Sequence, residues 1–552
     1  MIRESRERAI ASVAAPRFRT AVLAVALFAI VLGIGARLDS LGHKLFWQDE
    51  AISMLRITGH QAADLDRLFD GRLHPATELL ALDRLDPRLG LGATVASLHA
   101  EPQRGPLFYV VARLWADAFG DDVARVRLLS ALIGIASIGF AFLLGRRLGE
   151  GYVAGAVLAA LFALSPMHIR FSQQIREYEM IAAATLASSW LLLRALERPS
   201  TVRVITYALS LAIGLYTSPL FVATVVAHGA TAIVAARRDG RTPFLAWVAA
   251  TVAAAIAVAP WMLQSIKGAP AHVGDLDWVQ GQFTLKSLAL KWAFNIGAVF
   301  FDSEFARIRL GLVLAPLLAV VAFAFASAFV RPRDIVARAL MVALTVCSAL
   351  PVIVLDIVDR AHFEAVTRYQ MTTWIGISII VAMLIVRGLA EGANLARFAL
   401  ACFVFVLGCG AFSAAVDRPY VLWWDNNEHI DESAVGAKIA AAESPALVAA
   451  SAAATGYTLV LSRYVPADTT MLLYGRVLPA LPATPRGAFF FVPLESVVSD
   501  VDRRVAPGSA LRNVSPDIGI TIPDLRSERD ADANAIRADN ALWRIVPATA
   551  PR

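Results

Sequence analysis

A chain of 552 residues in which 57% are hydrophobic and only 17% are charged is too apolar for an ordinary soluble globule and belongs in lipid. The formal net charge of +6 comes from Lys and Arg scattered between apolar runs, which argues against nucleic acid as a partner and for membrane lipids. The three cysteines, Cys347, Cys402 and Cys409, lie inside apolar runs, so no disulfide framework or cysteine-based metal site is implied.

In chain order, Arg3, Arg6, Arg8, Arg17 and Arg19 precede the first apolar run, Ala21 to Ala36. A cleaved signal peptide is one reading of this start, but the many later spans favour a retained helix. Further runs follow at Val126 to Leu144, Val153 to Met167, Met180 to Leu196, Ile205 to Tyr216 and Leu220 to Ala236. The series continues with Phe244 to Leu263, Leu310 to Val330, Ile335 to Leu355, Trp374 to Val386 and Phe398 to Val416. These predict about eleven spans of a hydrocarbon layer roughly 30 Å thick.

Orientation follows from the retention of Lys and Arg on the cytoplasmic side. The clusters Arg146-Arg147, Arg194 to Arg203, Arg237 to Arg241, Arg331 to Arg338 and Arg387 to Arg397 fall in alternate loops. The N-terminus is therefore expected in the cytoplasm of a bacterial inner membrane. Leu38 to Gly105, Gln264 to Arg309 and everything after Asp417 are expected on the periplasmic side. Residues 1–416 form the predicted membrane domain, with a catalytic outer loop at 38–105.

Pro106 to Phe119 places Leu107, Phe108, Val111, Leu114 and Trp115 on one helical face and is too short to span, so it predicts a helix lying in the interface. Thr284 to Phe301 predicts a second one. From Asp417 the chain changes character. Short β-prone runs at Ala446 to Ala450, Met471 to Tyr474, Ala488 to Val492 and Ala541 to Val546 alternate with helix-like segments, predicting a small extracytoplasmic α/β domain over 417–552. Arg526 to Asp539 reads as a polar loop.

Three polar segments carry candidate chemistry. Phe46-Trp47-Gln48-Asp49-Glu50-Ala51 sets two adjacent carboxylates just beyond the first span, where an ionised group is costly unless paired or used. Asp49 is a candidate general base for an acceptor hydroxyl. The competing reading is an N-cap and first-turn acid pair starting a helix over Glu50 to Thr58. Glu101-Pro102-Gln103-Arg104-Gly105-Pro106 combines a carboxylate, a cation and a rigid turn. Pro106 needs only its place at a helix start, and Arg104 has the alternative of meeting anionic lipid. Ser165 to Tyr178 contains Gln174, Arg176 and Tyr178, and a guanidinium there suits a lipid-linked phosphate through charge-assisted hydrogen bonds. Its alternative is a solvated loop with snorkelling arginines. Arg368-Tyr369 is a fourth candidate phosphate contact.

The Asp49-Glu50-Ala51 unit, Pro106-Leu107-Phe108-Tyr109, Gly120, Arg125 to Leu132 and the run Ser165 to Tyr178 resemble, in order and spacing, integral-membrane glycosyltransferases of the GT-C fold. The resemblance is to the branch of protein O-mannosyltransferases, aminoarabinose transferases of lipid A and galacturonic acid transferases of rhizobial lipopolysaccharide. It implies an all-α polytopic protein performing an inverting transfer from a polyprenyl-phosphate sugar donor to an envelope glycolipid, glycan or protein acceptor. Asp49 takes the catalytic position and Glu101 that of the second acid. Arg104 stands where the family often has a basic residue before a double proline, the first of which is Gly105 here.

No cofactor is required by this scheme. If a metal bridges Asp49, Glu101 and the phosphate, hard oxygen ligands suit Mg2+ or Mn2+. The rival from another class is a transporter or flippase of lipid-linked sugars, which predicts ionisable residues near the middle of several spans.

Overall fold

The structure, a computed structural model, describes residues 16–100, 104–149, 151–268, 284–302, 310–330, 334–360, 367–421, 431–442, 447–475, 477, 479, 488–491, 509–514 and 542–547. Its elements in chain order begin with α1 (Pro16–Leu38), α2 (Gln48–Thr58), α3 (Ala62–Asp66), β1 (Arg72–Pro75), α4 (Ala76–Leu82), α5 (Leu91–Ala100) and α6 (Leu107–Phe119). Next come α7 (Val123–Leu148), α8 (Tyr152–Ala163), α9 (Pro166–Ser172), α10 (Tyr178–Glu197), α11 (Thr201–Thr217), α12 (Val222–Asp239), α13 (Thr242–Gly268) and α14 (Leu285–Ala298). The remainder are α15 (Leu310–Val330), α16 (Ile335–Asp359), α17 (Met371–Ala390), α18 (Gly392–Asp417), α19 (Glu432–Ala440), β2 (Leu447–Ser451), α20 (Thr455–Leu461), β3 (Thr470–Tyr474), β4 (Phe489–Phe491), β5 (Ser509–Asn513) and β6 (Leu542–Pro547).

The chain divides into two compact units, Met1–Leu41 with Glu101–Phe108 and Arg127–Pro419, and Gly42–Ala100 with Tyr109–Val126 and Tyr420–Arg552. Most of the first outer loop, Gly42–Ala100, thus groups with the C-terminal chain.

In the first unit all eleven apolar runs are helical. Among the described residues, eight helices are long and apolar enough to cross a membrane. The difference from eleven has local causes. The third run is broken into α8 and α9, bent by 65°. The fifth, α11, has 17 residues, a length of about 26 Å at the usual helical rise. Of the eighth, α15, the described apolar part runs from Leu312 to Ala328. Large apolar side chains such as Leu27, Phe28 and Ile256 are exposed, as expected of helices whose solvent is lipid. Helix α17 is central, with 78% of its apolar window buried.

Several polar groups in this interior are paired with one another. Ser189 Oγ lies 3.0 Å from His228 Nε2, and Tyr207 Oη lies 2.9 Å from His228 Nδ1. Thr224 Oγ1 lies 3.1 Å from the hydroxyls of both Thr185 and Thr372, joining three helices. Such links cost little where the alternative is an unsatisfied group in hydrocarbon.

The second unit is built on a six-stranded sheet of order β1-β3-β2-β4-β6-β5. Strand β2 runs parallel to β3 and β4, while β1 to β3, β4 to β6 and β5 to β6 are antiparallel. The central strands β2 and β4 are buried on both faces, which is why they read as continuous apolar runs. Leu447, Ala449, Leu472, Tyr474, Phe490 and Ile545 form the core of one face. Strand β1 comes from the first loop, with Leu73 opposite Leu472. The polar loop expected at Arg526 to Asp539 lies outside the described residues.

Candidate active site

The chemistry-bearing turn of the first unit begins with a proline. Pro166 has no N–H and occupies the first position of α9, and Ser165 before it is extended at φ −65°, ψ 120°. Proline clashes with a continuing helix upstream, so α8 stops at Ala163. The carbonyls this leaves are capped by the first span: Arg37 Nη1 donates to Ala163 O at 2.5 Å and Nη2 to Phe162 O at 3.1 Å. A cation at a helix C-terminus also meets the negative end of the helix dipole. Gly33 and Gly410 let neighbouring backbones close on the break, since a Cβ at either would lie 2.2 and 2.1 Å from the carbonyl oxygens of Ala163 and Leu164.

The consequence is a chain that folds back inside the bundle. Every residue of α9 is buried, and Arg170, Gln174, Arg176 and Tyr178 are 2%, 1%, 4% and 2% exposed. A solvated loop with snorkelling arginines is thereby excluded.

Arg176 Nε donates to Tyr178 Oη at 3.1 Å, with its guanidinium carbon 5.2 Å from the ring centre. Glu177 lies 3.5 Å from the same guanidinium. Phe171 packs its ring 4.7 Å from Tyr178 and 6.1 Å from Trp374 of α17, and Arg170 lies over Phe171 at 5.1 Å. Arg368 and Tyr369 sit on the single turn Thr367–Gln370 that leads into α17, with Arg368 over the Tyr369 ring at 5.7 Å. Arg170 is within electrostatic range of Arg368, Asp302, Asp417 and Tyr178. The structure thus brings Arg176 and Tyr178 into contact and sets Arg368 within the field of the same turn.

Gln174 adds an unusual feature. Both polar atoms of its buried amide lack a hydrogen-bond partner among the described residues. A buried amide left open costs roughly 1–3 kcal/mol, which a ligand oxygen or ordered water would recover. Beside this turn, His168 Nδ1 and Glu179 Oε1 are 2.8 Å apart and fully buried, with Phe162 stacked on the imidazole at 3.8 Å.

Arg37, Arg170 and the His168-Glu179 pair were not singled out by sequence reasoning. Arg37 lies one residue beyond the apolar run, and the other three belong to a segment that reads as an exposed loop until Pro166 is seen to turn it inward.

Arg104 is half-buried, and its carbonyl accepts from Trp261 Nε1 at 3.0 Å. Gly105 explains the departure from the double-proline pattern: a Cβ there would lie 2.2 Å from Thr217 O and 2.6 Å from Tyr216 O. No side chain fits against that backbone. Glu101 lies outside the described residues.

Asp49 belongs to the second unit. Helix α2 starts at Gln48 with extended Trp47 at its N-cap, φ −101° and ψ 168°, and no side-chain cap. The sequence reading of Asp49 as an N-cap is therefore corrected, because helical geometry begins one residue before it. Asp49 and Glu50 lie in the first turn, where free N–H groups favour anions. Asp49 is half-buried and Glu50 fully buried. Among the described residues no group of three or more His, Cys, Asp or Glu is arranged to hold a metal ion.

Residues 102–263 match the family model described as dolichyl-phosphate-mannose-protein mannosyltransferase. This segment holds Arg104, Gly105 and the turn Gln174 to Tyr178, and it bears out the expected kinship to membrane glycosyltransferases. Among solved structures, the oligosaccharyltransferase of Archaeoglobus fulgidus in the apo form has a TM-score of 0.49 and 11% identity, covering 90% of this chain and 70% of that one. ArnT from Cupriavidus metallidurans bound to undecaprenyl phosphate has a TM-score of 0.40 and 12% identity, covering 95% and 99%. The apo state of the same ArnT has a TM-score of 0.38 and 14% identity, covering 80% and 84%. No curated protein matches the chain. With its helices and family match, the chain is a multi-pass membrane protein.

Proposed function

We propose that this chain is an inverting GT-C glycosyltransferase that moves a sugar from a polyprenyl-phosphate carrier to an envelope glycolipid, polysaccharide or protein on the periplasmic side of a bacterial inner membrane. The observation that carries the reading is the buried Gln174 to Tyr178 turn, with an open amide and a guanidinium oriented by Tyr178, inside the segment the family model matches. Interior arginines held by aromatic neighbours suit a monophosphate in a dry setting better than a solvated one.

In this mechanism an acceptor oxygen forms a bond to the anomeric carbon as the bond to the phosphate oxygen breaks. Its proton passes to Asp49, and the electron pair leaves on polyprenyl phosphate, whose charge Arg176, Arg104 and Arg368 stabilise, with Gln174 and Tyr178 as neutral donors. Positioned general bases typically contribute roughly a hundred- to ten-thousand-fold. Glu101 is the second acid of the scheme, and the reaction needs no nucleotide.

Purified protein incubated with radiolabelled polyprenyl-phosphate sugars and membrane acceptors is expected to move label to an acceptor identified by mass. Asp49→Asn is expected to lower transfer roughly a hundred- to ten-thousand-fold with insertion unchanged, leaving a measurable residual rate, and Arg176→Gln to weaken retention of undecaprenyl phosphate. Transfer at the wild-type rate by D49N removes the base assignment. One observation favours the flippase reading, the fully buried ionisable pair His168-Glu179; movement of label across liposomes without transfer would establish it.

A further inference from the structure

Helix α2, which carries Asp49 near its start, is held at its start by chain that lies far away in sequence and at its end by Leu82, whose neighbour Asp83 bonds to that same distant chain. At its start, Phe46 N–H donates to Tyr464 Oη at 3.1 Å, and the Arg463 guanidinium lies over the Phe46 ring at 4.2 Å. Just before that, Leu45 N–H donates to Val421 O at 2.9 Å and Lys44 Nζ to Tyr420 O at 2.7 Å. At its end, Thr58 Oγ1 donates to Leu82 O at 2.7 Å. Arg463 closes the circuit: its Nε donates at 3.1 Å to Asp83 Oδ2, one residue after Leu82, and the Asp83 side chain is fully buried.

The middle of the helix is fixed by close approach. A Cβ on Gly456 of α20 would lie 3.3 Å from Gln48 Oε1 and 3.6 Å from Ile52 Cδ1. The clamp is itself braced, because a Cβ on Gly436 of α19 would meet Tyr464 O at 2.4 Å. Three consecutive residues before the first turn of α2 are therefore tied to the C-terminal chain, and one guanidinium touches what precedes that helix and what receives its last turn.

We propose that Arg463 and Tyr464 are positioning residues for Asp49, setting the azimuth and depth at which α2 presents its first turn. This rests on the assignment of Asp49 as the base. Neither residue meets substrate. They act by holding Phe46, three residues upstream, by its N–H and its ring, where a displacement of about 1 Å is enough to cost on the order of a hundredfold in rate. Arginine suits the role because its planar fork stacks on Phe46 while donating sideways to Asp83, which lysine does not reproduce.

The test uses the full-length protein in lipid nanodiscs with a polyprenyl-phosphate sugar and its acceptor. Tyr464→Phe removes one oxygen and Arg463→Lys keeps the charge. Both are expected to lower kcat about tenfold, with KM for donor and acceptor changed less than twofold, and to speed hydrogen exchange at the Phe46 amide. Neither is expected to lower the residual rate of Asp49→Asn further, since they act through Asp49. Wild-type kcat in both variants, or losses that add to that of D49N, overturn the clamp while leaving the base assignment standing. Full activity of D49N overturns the base assignment and the clamp with it. Should R463K melt below the assay temperature, Y464F with its exchange measurement decides.

Discussion

Gly105→Ala tests the packing on which Arg104 depends. The new Cβ would lie 2.2 Å from Thr217 O, 2.3 Å from Thr217 C and 2.6 Å from Tyr216 O, all backbone atoms at the end of α11. To reach ordinary contact at 3.4 Å the carbonyl has to retreat by about 1.2 Å. No rotamer change relieves this, and Thr217→Ala does not rescue it, because the obstructing atoms are main chain. Overpacking of this kind costs about 1–3 kcal/mol where side chains give way, so the upper end applies here. Domains of 150–250 residues lose roughly 2–4 °C per kcal/mol and larger units less, which sets an expected fall of up to about 6 °C in this larger unit. Where residue 105 gives way instead of Thr217, a shift of that size exceeds what the 3.0 Å bond from Trp261 Nε1 to the neighbouring Arg104 O tolerates, so on the proposed function binding of a polyprenyl-phosphate donor is expected to weaken about tenfold. Gly139→Ala is the matched control: nothing lies within 4 Å of its Cβ in α7, and helix propensity alone predicts a gain of up to about 1 kcal/mol. Thermal unfolding in detergent, with donor-lipid binding measured in parallel, compares the two. A G105A protein that melts with wild type and G139A and binds the lipid equally refutes the packing argument.

Two further outcomes follow from buried charges. Burial pushes the Asp83 carboxyl from its ordinary 3.8 to about 7, against the pull of Arg463 and Arg84. The folded form therefore holds a proton that the unfolded chain releases near 3.8, so this stabilisation is full below pH 4 and is lost as pH rises through about 7, up to about 4 kcal/mol over the interval. Asp83→Asn, which mimics the protonated acid, is expected to melt increasingly above wild type between pH 5 and about pH 8; parallel melting curves contradict the shift. In the first unit, His168→Ala leaves Glu179 buried without its partner and removes the ring stacked on Phe162. That is expected to cost about 3–5 kcal/mol, with most of it recovered in the double variant H168M/E179M, where no polar group is left behind. An H168A protein that melts with wild type would show that Glu179 does not depend on its partner, and a double variant that melts no higher than H168A would refute the recovery.

Much of the architecture was legible because hydrophobic patterning dominates it. All eleven apolar runs became helices, and the four β-prone runs of the C-terminal region became β2, β3, β4 and β6. What escaped depends on partners far along the chain. Strand β1 is only Arg72-Leu73-His74-Pro75, too short and too polar to announce itself, and it exists because β3 offers an edge. Strand β5, at the opposite edge, is hidden for the same reason. The site shows the same division. Arg176 and Tyr178 stood out as polar residues between apolar helices, whereas the capping of α8 by Arg37 joins side chain and carbonyls 126 residues apart. The expected N-cap, Asp49, is displaced by two positions, because Trp47, a residue with no capping side chain, takes the N-cap and the helix starts at Gln48. Gly105, where the double-proline pattern has proline, is explained only by Thr217, more than a hundred residues on, whose carbonyl leaves no room for a side chain.

That dependence on distant partners has a kinetic side. Leu73 pairs with Leu472, so roughly 400 residues of chain must be made and threaded before β1 finds its neighbour, and contacts of such separation form late. The clamp on α2 closes later still in sequence terms than any helix of the first unit, because Tyr420, Val421, Arg463 and Tyr464 all follow them. The end of α2 also finds partners nearby in the chain, with Thr58 bonded to Leu82 and Thr94 to Ile57, whereas the segment just before its first turn, Lys44 to Phe46, is bonded to chain that is made last. Within the second unit, the C-terminal chain is in this sense the last-made part of the scaffold around the start of α2.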